Sequence, residues 1–140
     1  MRPYHIVIPG KPIPQKRWRV GKYGAYDPSA GDKKKVRPVI AAQWKNKEPI
    51  TGPLCVWFAF LYQRPKSHYR SVNRKPVLKP TSPMRYTKPP DIDNLTKFYL
   101  DVMNKLVFDD DRQVYMISAR KIWTDGIIEE PQTDIWVMET

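Results

Sequence analysis

The segment Asp91–Leu106, DIDNLTKFYLDVMNKL, decides the fold. Leu95, Phe98, Tyr99, Val102, Met103 and Leu106 recur at helical spacing and fall within an arc of about 140° at 100° per residue, while Asp93, Lys97, Asp101 and Lys105 step along the opposite side. The segment therefore predicts an amphipathic helix from Asp91 or Ile92 to about Lys105, with its apolar stripe facing a core. Working outward, Val114–Thr124 (VYMISARKIWT) and Thr133–Met138 (TDIWVM) read as strands with a turn at Asp125-Gly126. Upstream, Pro53–Tyr62 (PLCVWFAFLY) is an apolar run without polar alternation, which suits a strand buried on both faces. Tyr4–Pro9 (YHIVIP) is a further strand. Pro28 to about Asn46 has helical spacing through Val36, Val39, Ile40, Gln43 and Trp44, although Pro38 argues against an uninterrupted helix. Residues 10–27 and 63–90 read as loops, the second long and basic, with six of the fifteen prolines. Strands at the start, middle and end with two helices between them predict one α/β (α+β) domain over residues 1–140, a mixed β-sheet of about four strands flanked by two helices.

The length of 140 residues suits one core and is short for two. The formal net charge of +11 is unevenly placed. Residues 1–90 carry 20 Lys or Arg against three acids, a surplus of 17, whereas residues 91–140 carry five against eleven, a deficit of 6. Six acids crowd into Asp91–Asp111, where like charges repel unless a cation or a basic surface compensates them. One cysteine, Cys55, excludes an intramolecular disulfide and reads as a small hydrophobe in its strand. Two separated histidines exclude a zinc ribbon or Cys/His finger. No run approaches the roughly 18 apolar residues of a membrane span, and the N-terminus lacks a signal-peptide core, so a cytoplasmic protein without membrane partners is expected.

The acidic residues have two readings each. An Asp at a helix start is commonly an N-cap, but one cap suffices and Asp91 and Asp93 are two. Asp109-Asp110-Asp111 forms a solvated turn or supplies metal ligands. Carboxylates at a helix start and on a returning strand suit a hard cation such as Mg²⁺, which is held by a few carboxylates, waters and substrate phosphate oxygens. Lys97 either stabilises developing charge or pairs with Asp93 and Asp101 at i,i+4. An EF-hand is excluded because neither acidic stretch has the required Gly six residues into the loop.

At these residues the sequence resembles the RusA family of Holliday-junction resolvases, endonucleases associated with phages and prophages. The resemblance rests on D-I-D-N-L-x-K at Asp91–Lys97, an amphipathic helix, and D-D-x-Q-V at Asp110–Val114 leading into a basic strand; the stretch IPGKPIPQKRWRV is similar to the family's opening strand and its Pro/Arg-rich loop. The resemblance implies essential aspartates at Asp91, Asp93 and Asp111, a lysine role at Lys97, a neighbouring acid at Asp110, and Mg²⁺ (or Mn²⁺) as cofactor. It also implies a homodimer that cuts four-way DNA junctions in a bacterial or phage-infected cell. Asp109 is an extra acid, and the basic insertion before Asp91 is longer than the family's compact pattern.

Phosphate contacts are expected from Lys11, Lys16, Arg17, Arg19, Arg64, Lys66, Arg85 and Lys88, in loops without the spacing of a base-reading helix. Trp18 either stacks on an unpaired base or packs against the domain, and Trp57, Trp123 and Trp136 are expected in the core. The residues alone leave two other classes open: a non-catalytic basic DNA-binding module, and a metal-dependent nuclease of flap DNA or RNA.

Overall fold

The computed structural model describes residues 3–44, 47–125 and 130–140. In chain order its elements are β1 (Pro3–Pro9), β2 (Arg19–Gly21), β3 (Gly24–Tyr26), α1 (Ala30–Trp44), β4 (Leu54–Tyr62), β5 (Tyr69–Val72), β6 (Lys75–Leu78), α2 (Ile92–Met103), β7 (Val114–Trp123) and β8 (Gln132–Glu139). The four long strands form one mixed sheet in the order β1-β8-β4-β7, in which only β4 and β7 run parallel. This is the expected α+β arrangement. Gly126 of the expected turn, and Lys45 and Asn46 at the end of the expected first helix, lie outside the described residues.

Alternation along the strands decides which face meets the helices. Leu54, Val56, Phe58, Phe60 and Tyr62 of β4 join Ile135 and Val137 of β8 and Ile6 and Ile8 of β1 in a core with Leu95, Phe98, Tyr99, Val102 and Met103 of α2. From α1, Val36, Ile40 and Trp44 complete it. All six stripe residues of the sequence pattern sit in or against this core, Leu106 beyond the end of α2. Pro38 does not interrupt α1. It lies on the exposed side, so the missing N–H faces solvent, while the fourfold spacing of Val36, Ile40 and Trp44 pins both halves to the sheet. Arg37 ties the helices together by donating to the Val102 and Asn104 carbonyls at 2.9 and 3.0 Å, which satisfies the C-terminal end of α2.

Two expectations need correction. β4 is not buried on both faces along its whole length: Trp57 points away from the helices and is 46% exposed, cross-strand from half-buried Trp136, so neither is a core residue as Trp123 is. Residues 63–90 are not a featureless loop, since Lys66–His68 forms a 3₁₀ turn and β5 and β6 make a hairpin. Its tip, Asn73-Arg74, has positive φ at both residues (52° and 63°), the geometry of a two-residue hairpin turn whose twist matches its strands. In the first loop, β2 and β3 form a second, very short hairpin.

Candidate active site

The N-terminus of α2 is held from two sides. The Pro-rich first loop lies across it, with the Gln15 N–H donating to the Asn94 carbonyl at 2.9 Å and the Ile13 N–H to the Tyr99 hydroxyl at 3.0 Å. The Tyr99 hydroxyl in turn accepts from Thr133, and burial raises its pKa above the ordinary phenol value. The same loop is tied to the start of α1, where Ser29 Oγ accepts from the Lys16 N–H at 2.9 Å. Asp27 accepts from Gln15, the Ser29 N–H and Lys33. Burial alone would raise the Asp27 carboxyl, but these donors hold it below its usual value. Lys11 and Lys16 are thereby fixed beside Pro89 and Pro90, which lead directly into Asp91.

From the sheet side, Lys121 donates to the Lys88 and Pro90 carbonyls, both at 2.6 Å, with its ammonium 5.3 Å from the centre of the Tyr86 ring. Sequence reasoning missed this residue. Its signal was the register of β7, where Ala119, Lys121 and Trp123 share one face and two of the three are apolar.

Asp91 and Asp93 line one cavity of about 650 Å³ with Arg85, Tyr86, Arg120 and Lys121. Asp91 occupies the N-cap position in extended geometry (φ −68°, ψ 144°), yet its side chain makes no capping hydrogen bond. Both carboxylates are exposed, and neither accepts a hydrogen bond or an ion pair from a described residue. The capping role is thus unused, and the pair is available to a ligand. Lys97 is exposed one turn along and pairs with neither Asp93 nor Asp101; Asp101 instead meets Lys33 at 3.1 Å.

The second acidic group lies elsewhere. Asp110 caps the 3₁₀ turn Asp111–Gln113: its carboxylate accepts from the Arg112 N–H and meets the Arg112 guanidinium at 3.1 Å, and Gln113 donates to the Ile50 and Gly52 carbonyls while accepting from the Asp110 N–H. The Arg112 backbone and side-chain bonds lower the Asp110 pKa. Partial desolvation, a shared hydrogen bond with Asp110 and repulsion from Asp110 and Asp101 raise that of Asp111. Asp111 thus lies towards the end of α2, where it feels the charge of Asp101, whereas Asp91 and Asp93 stand at the start of this helix of twelve residues, which is about 18 Å long. Among the described residues no group of three or more His, Cys, Asp or Glu is close enough to hold a metal ion. Asp91 and Asp93, two unspent carboxylates in a basic cavity, nevertheless suit a hard cation that shares its remaining positions with waters and phosphate oxygens.

The predicted phosphate contacts divide. Lys11, Lys16, Arg17, Arg19, Lys66, Arg85 and Lys88 are exposed. Arg64 is buried and donates to the Thr124 and Pro83 carbonyls, both at 2.6 Å, so its guanidinium anchors the insertion. Trp18 is 63% exposed and Tyr23 95%, which rejects the packed alternative for Trp18; Trp18 directly precedes the basic β2–β3 hairpin and Tyr23 lies in its turn.

A family model described as endodeoxyribonuclease RusA matches residues 9–135. A relative from Bacillus subtilis (strain 168), "Uncharacterized protein YqaN", is 30% identical over 139 residues, covering 96% of this chain and 94% of its own.

Proposed function

The chain belongs to the RusA endodeoxyribonuclease family, a family of Holliday-junction endonucleases, and from that premise we propose that it is a divalent-metal-dependent resolvase that cuts four-way DNA junctions during recombination and repair. The observation that carries this reading is the pair of exposed, unpartnered carboxylates, Asp91 and Asp93, in a cavity whose other charged residues are Arg85, Arg120 and Lys121. Polyanion binding and hydrolysis need that juxtaposition of cationic walls and free acid.

In this reading Asp91 and Asp93 hold Mg²⁺, with Mn²⁺ as substitute. With such a cation in place the two carboxylates would present a Lewis acid that could polarise the scissile phosphodiester and lower the pKa of a bound water. Lys97, exposed and free of ion pairs one turn along α2, would offset the developing charge on the phosphate. Lys11, Lys16, Arg85 and Lys88 hold the flanking backbone, and the exposed Arg17 and Arg19 extend that contact along the β2–β3 hairpin. Asp110 is spent on Arg112 and keeps the turn in place.

A four-way junction is two-fold symmetric and must be cut on two strands, which supports a homodimer with a C2 axis as the acting form. Because one chain does not bring Asp111 to Asp91 and Asp93, we assign the third carboxylate to the partner copy. The protein would act in the cytoplasm of a bacterial or phage-infected cell.

Asp91→Asn should bind a synthetic four-way junction with nearly unchanged affinity and fail to cut it in Mg²⁺. Cleavage by the variant at the wild-type rate would overturn the assignment. The same assay on flap, duplex and RNA substrates separates a resolvase from a nuclease of another substrate. Mixing inactive Asp93→Asn with inactive Asp111→Asn should restore part of the cutting if the site is shared between copies, and none if each chain is self-sufficient. No observation favours the non-catalytic module, since Asp91 performs no capping.

A further inference from the structure

Beside the Asp91–Asp93 cavity lies a second one, of about 420 Å³, lined by Tyr62, Tyr86 and Trp123 together with Lys11, Gln63, Arg64 and Lys88. Tyr86 belongs to both cavities, and Lys88 precedes Asp91 by three residues. The aromatic residues form a fixed array: Tyr62 and Tyr86 stack at 3.8 Å with 7° between planes, and Trp123 meets Tyr86 edge-on at 4.7 Å. The Lys88 ammonium lies 5.7 Å from the centre of the Trp123 ring. Tyr62 is nine-tenths buried, and its hydroxyl has no hydrogen-bond partner. Pro65 and Pro131 complete the lining, and among the described residues no acid lines the space, so its charged groups are all cationic.

We propose that this cavity takes one unpaired nucleotide of the DNA next to the cut, its base against the aromatic array and its phosphate on Lys11 and Lys88. The volume and chemistry favour that ligand over a peptide or an acyl chain. Aromatic faces accept any base, while the two ammonium groups on the rim require an anion beside it. Gln63, exposed on the same rim, offers an amide to the base edge. Branched DNA supplies unpaired nucleotides at its crossover, whereas an intact duplex does not, so the cavity would help the enzyme select branched substrates. The inference rests on the proposed junction-cutting function and deepens it.

The test uses the full chain carrying Asp93→Asn, so that binding is read without cutting. Its first arm compares an eight-nucleotide single strand, dT8, with an octamer of abasic sites bearing the same phosphates. The cavity predicts about tenfold tighter binding of dT8. That preference should disappear in Gln63→Trp, which fills the rim from an exposed position, and in Tyr86→Leu, yet persist in Trp18→Ala. Equal binding of the two octamers overturns the inference, as does a preference that survives both cavity variants. Loss in Trp18→Ala alone would move the base to the β2–β3 hairpin and equally overturn it. The second arm compares a four-way junction with linear duplex. Equal affinity there would refute the junction-selective function, whereas nucleotide binding in the cavity stands or falls on the octamers alone.

Discussion

Replacing Lys121 with Met tests how the Asp91 loop is held. The ammonium donates to two backbone carbonyls, Lys88 and Pro90, at 2.6 Å each, and Lys121 is itself half-buried. Hydrogen bonds from a charged donor contribute about 1.5–3 kcal/mol each, and here water regains part of the loss because Lys88 is exposed. A net cost of about 3 kcal/mol follows, and at roughly 3–4 °C per kcal/mol for a chain of this size the Tm should fall by about 10 °C. The effect on cutting should be larger than on binding. Pro90 directly precedes Asp91, and a carboxylate displaced by about 1 Å costs on the order of a hundredfold in rate. Thermal unfolding and single-turnover cleavage of a four-way junction measure the two effects, with Lys35→Met, an exposed change on α1, as the control for lost charge. Lys121→Met should lose kcat while its junction Kd shifts only a few fold, and Lys121→Arg should recover part of both. A Lys121→Met protein with Tm within 2 °C and kcat within threefold of the parent (limits set at about the resolution of such assays, against the expected hundredfold) would refute the positioning argument.

Other perturbations probe the charge and the core. Burial, followed by the charges of Arg64, Lys88 and Lys79, lowers the His68 pKa below its ordinary value. A histidine with a depressed folded-state pKa contributes stability above its unfolded value, about 6.5, and that contribution is lost as pH falls through the folded pKa. The Tm should therefore drop on acidification below about pH 6.5 more steeply in the parent than in His68→Gln, and parallel curves would contradict this. Neutralising Lys11 and Lys16 together should weaken junction binding and reduce the slope of log K against log salt by about 2, measured by titration at several salt concentrations. Phe98→Ala empties a fully buried site between α2 and the sheet and should cost about 3–5 kcal/mol in denaturant unfolding, with m unchanged.

What was legible in the sequence was whatever a single period could carry. The stripe from Leu95 to Leu106 has only one way to be buried, and all six of its residues meet the core, five from α2 and Leu106 from just beyond its end. The apolar run of β4 was equally plain as a strand, but an apolar run does not say which face a neighbour covers, and Trp57 emerged on the open one. The β5–β6 hairpin was hidden because Tyr69–Leu78 has no apolar alternation and Arg74 is no common choice for a positive φ. Arg64 read as a phosphate contact because charge alone does not reveal that two carbonyls await it. The position of Asp91 and Asp93 at a helix start was readable, whereas the convergence of Asp111 on them, expected from a returning strand, does not occur within one chain. A helix that leaves Asp91 and ends at Met103 carries the chain about 18 Å away, and β7 begins there instead of ending there. Only the far end of β7, Arg120 and Lys121, comes back to the start of α2. Within one chain, therefore, β7 delivers Arg120 and Lys121 to Asp91 and Asp93, while Asp111 stays beyond the opposite end of that strand.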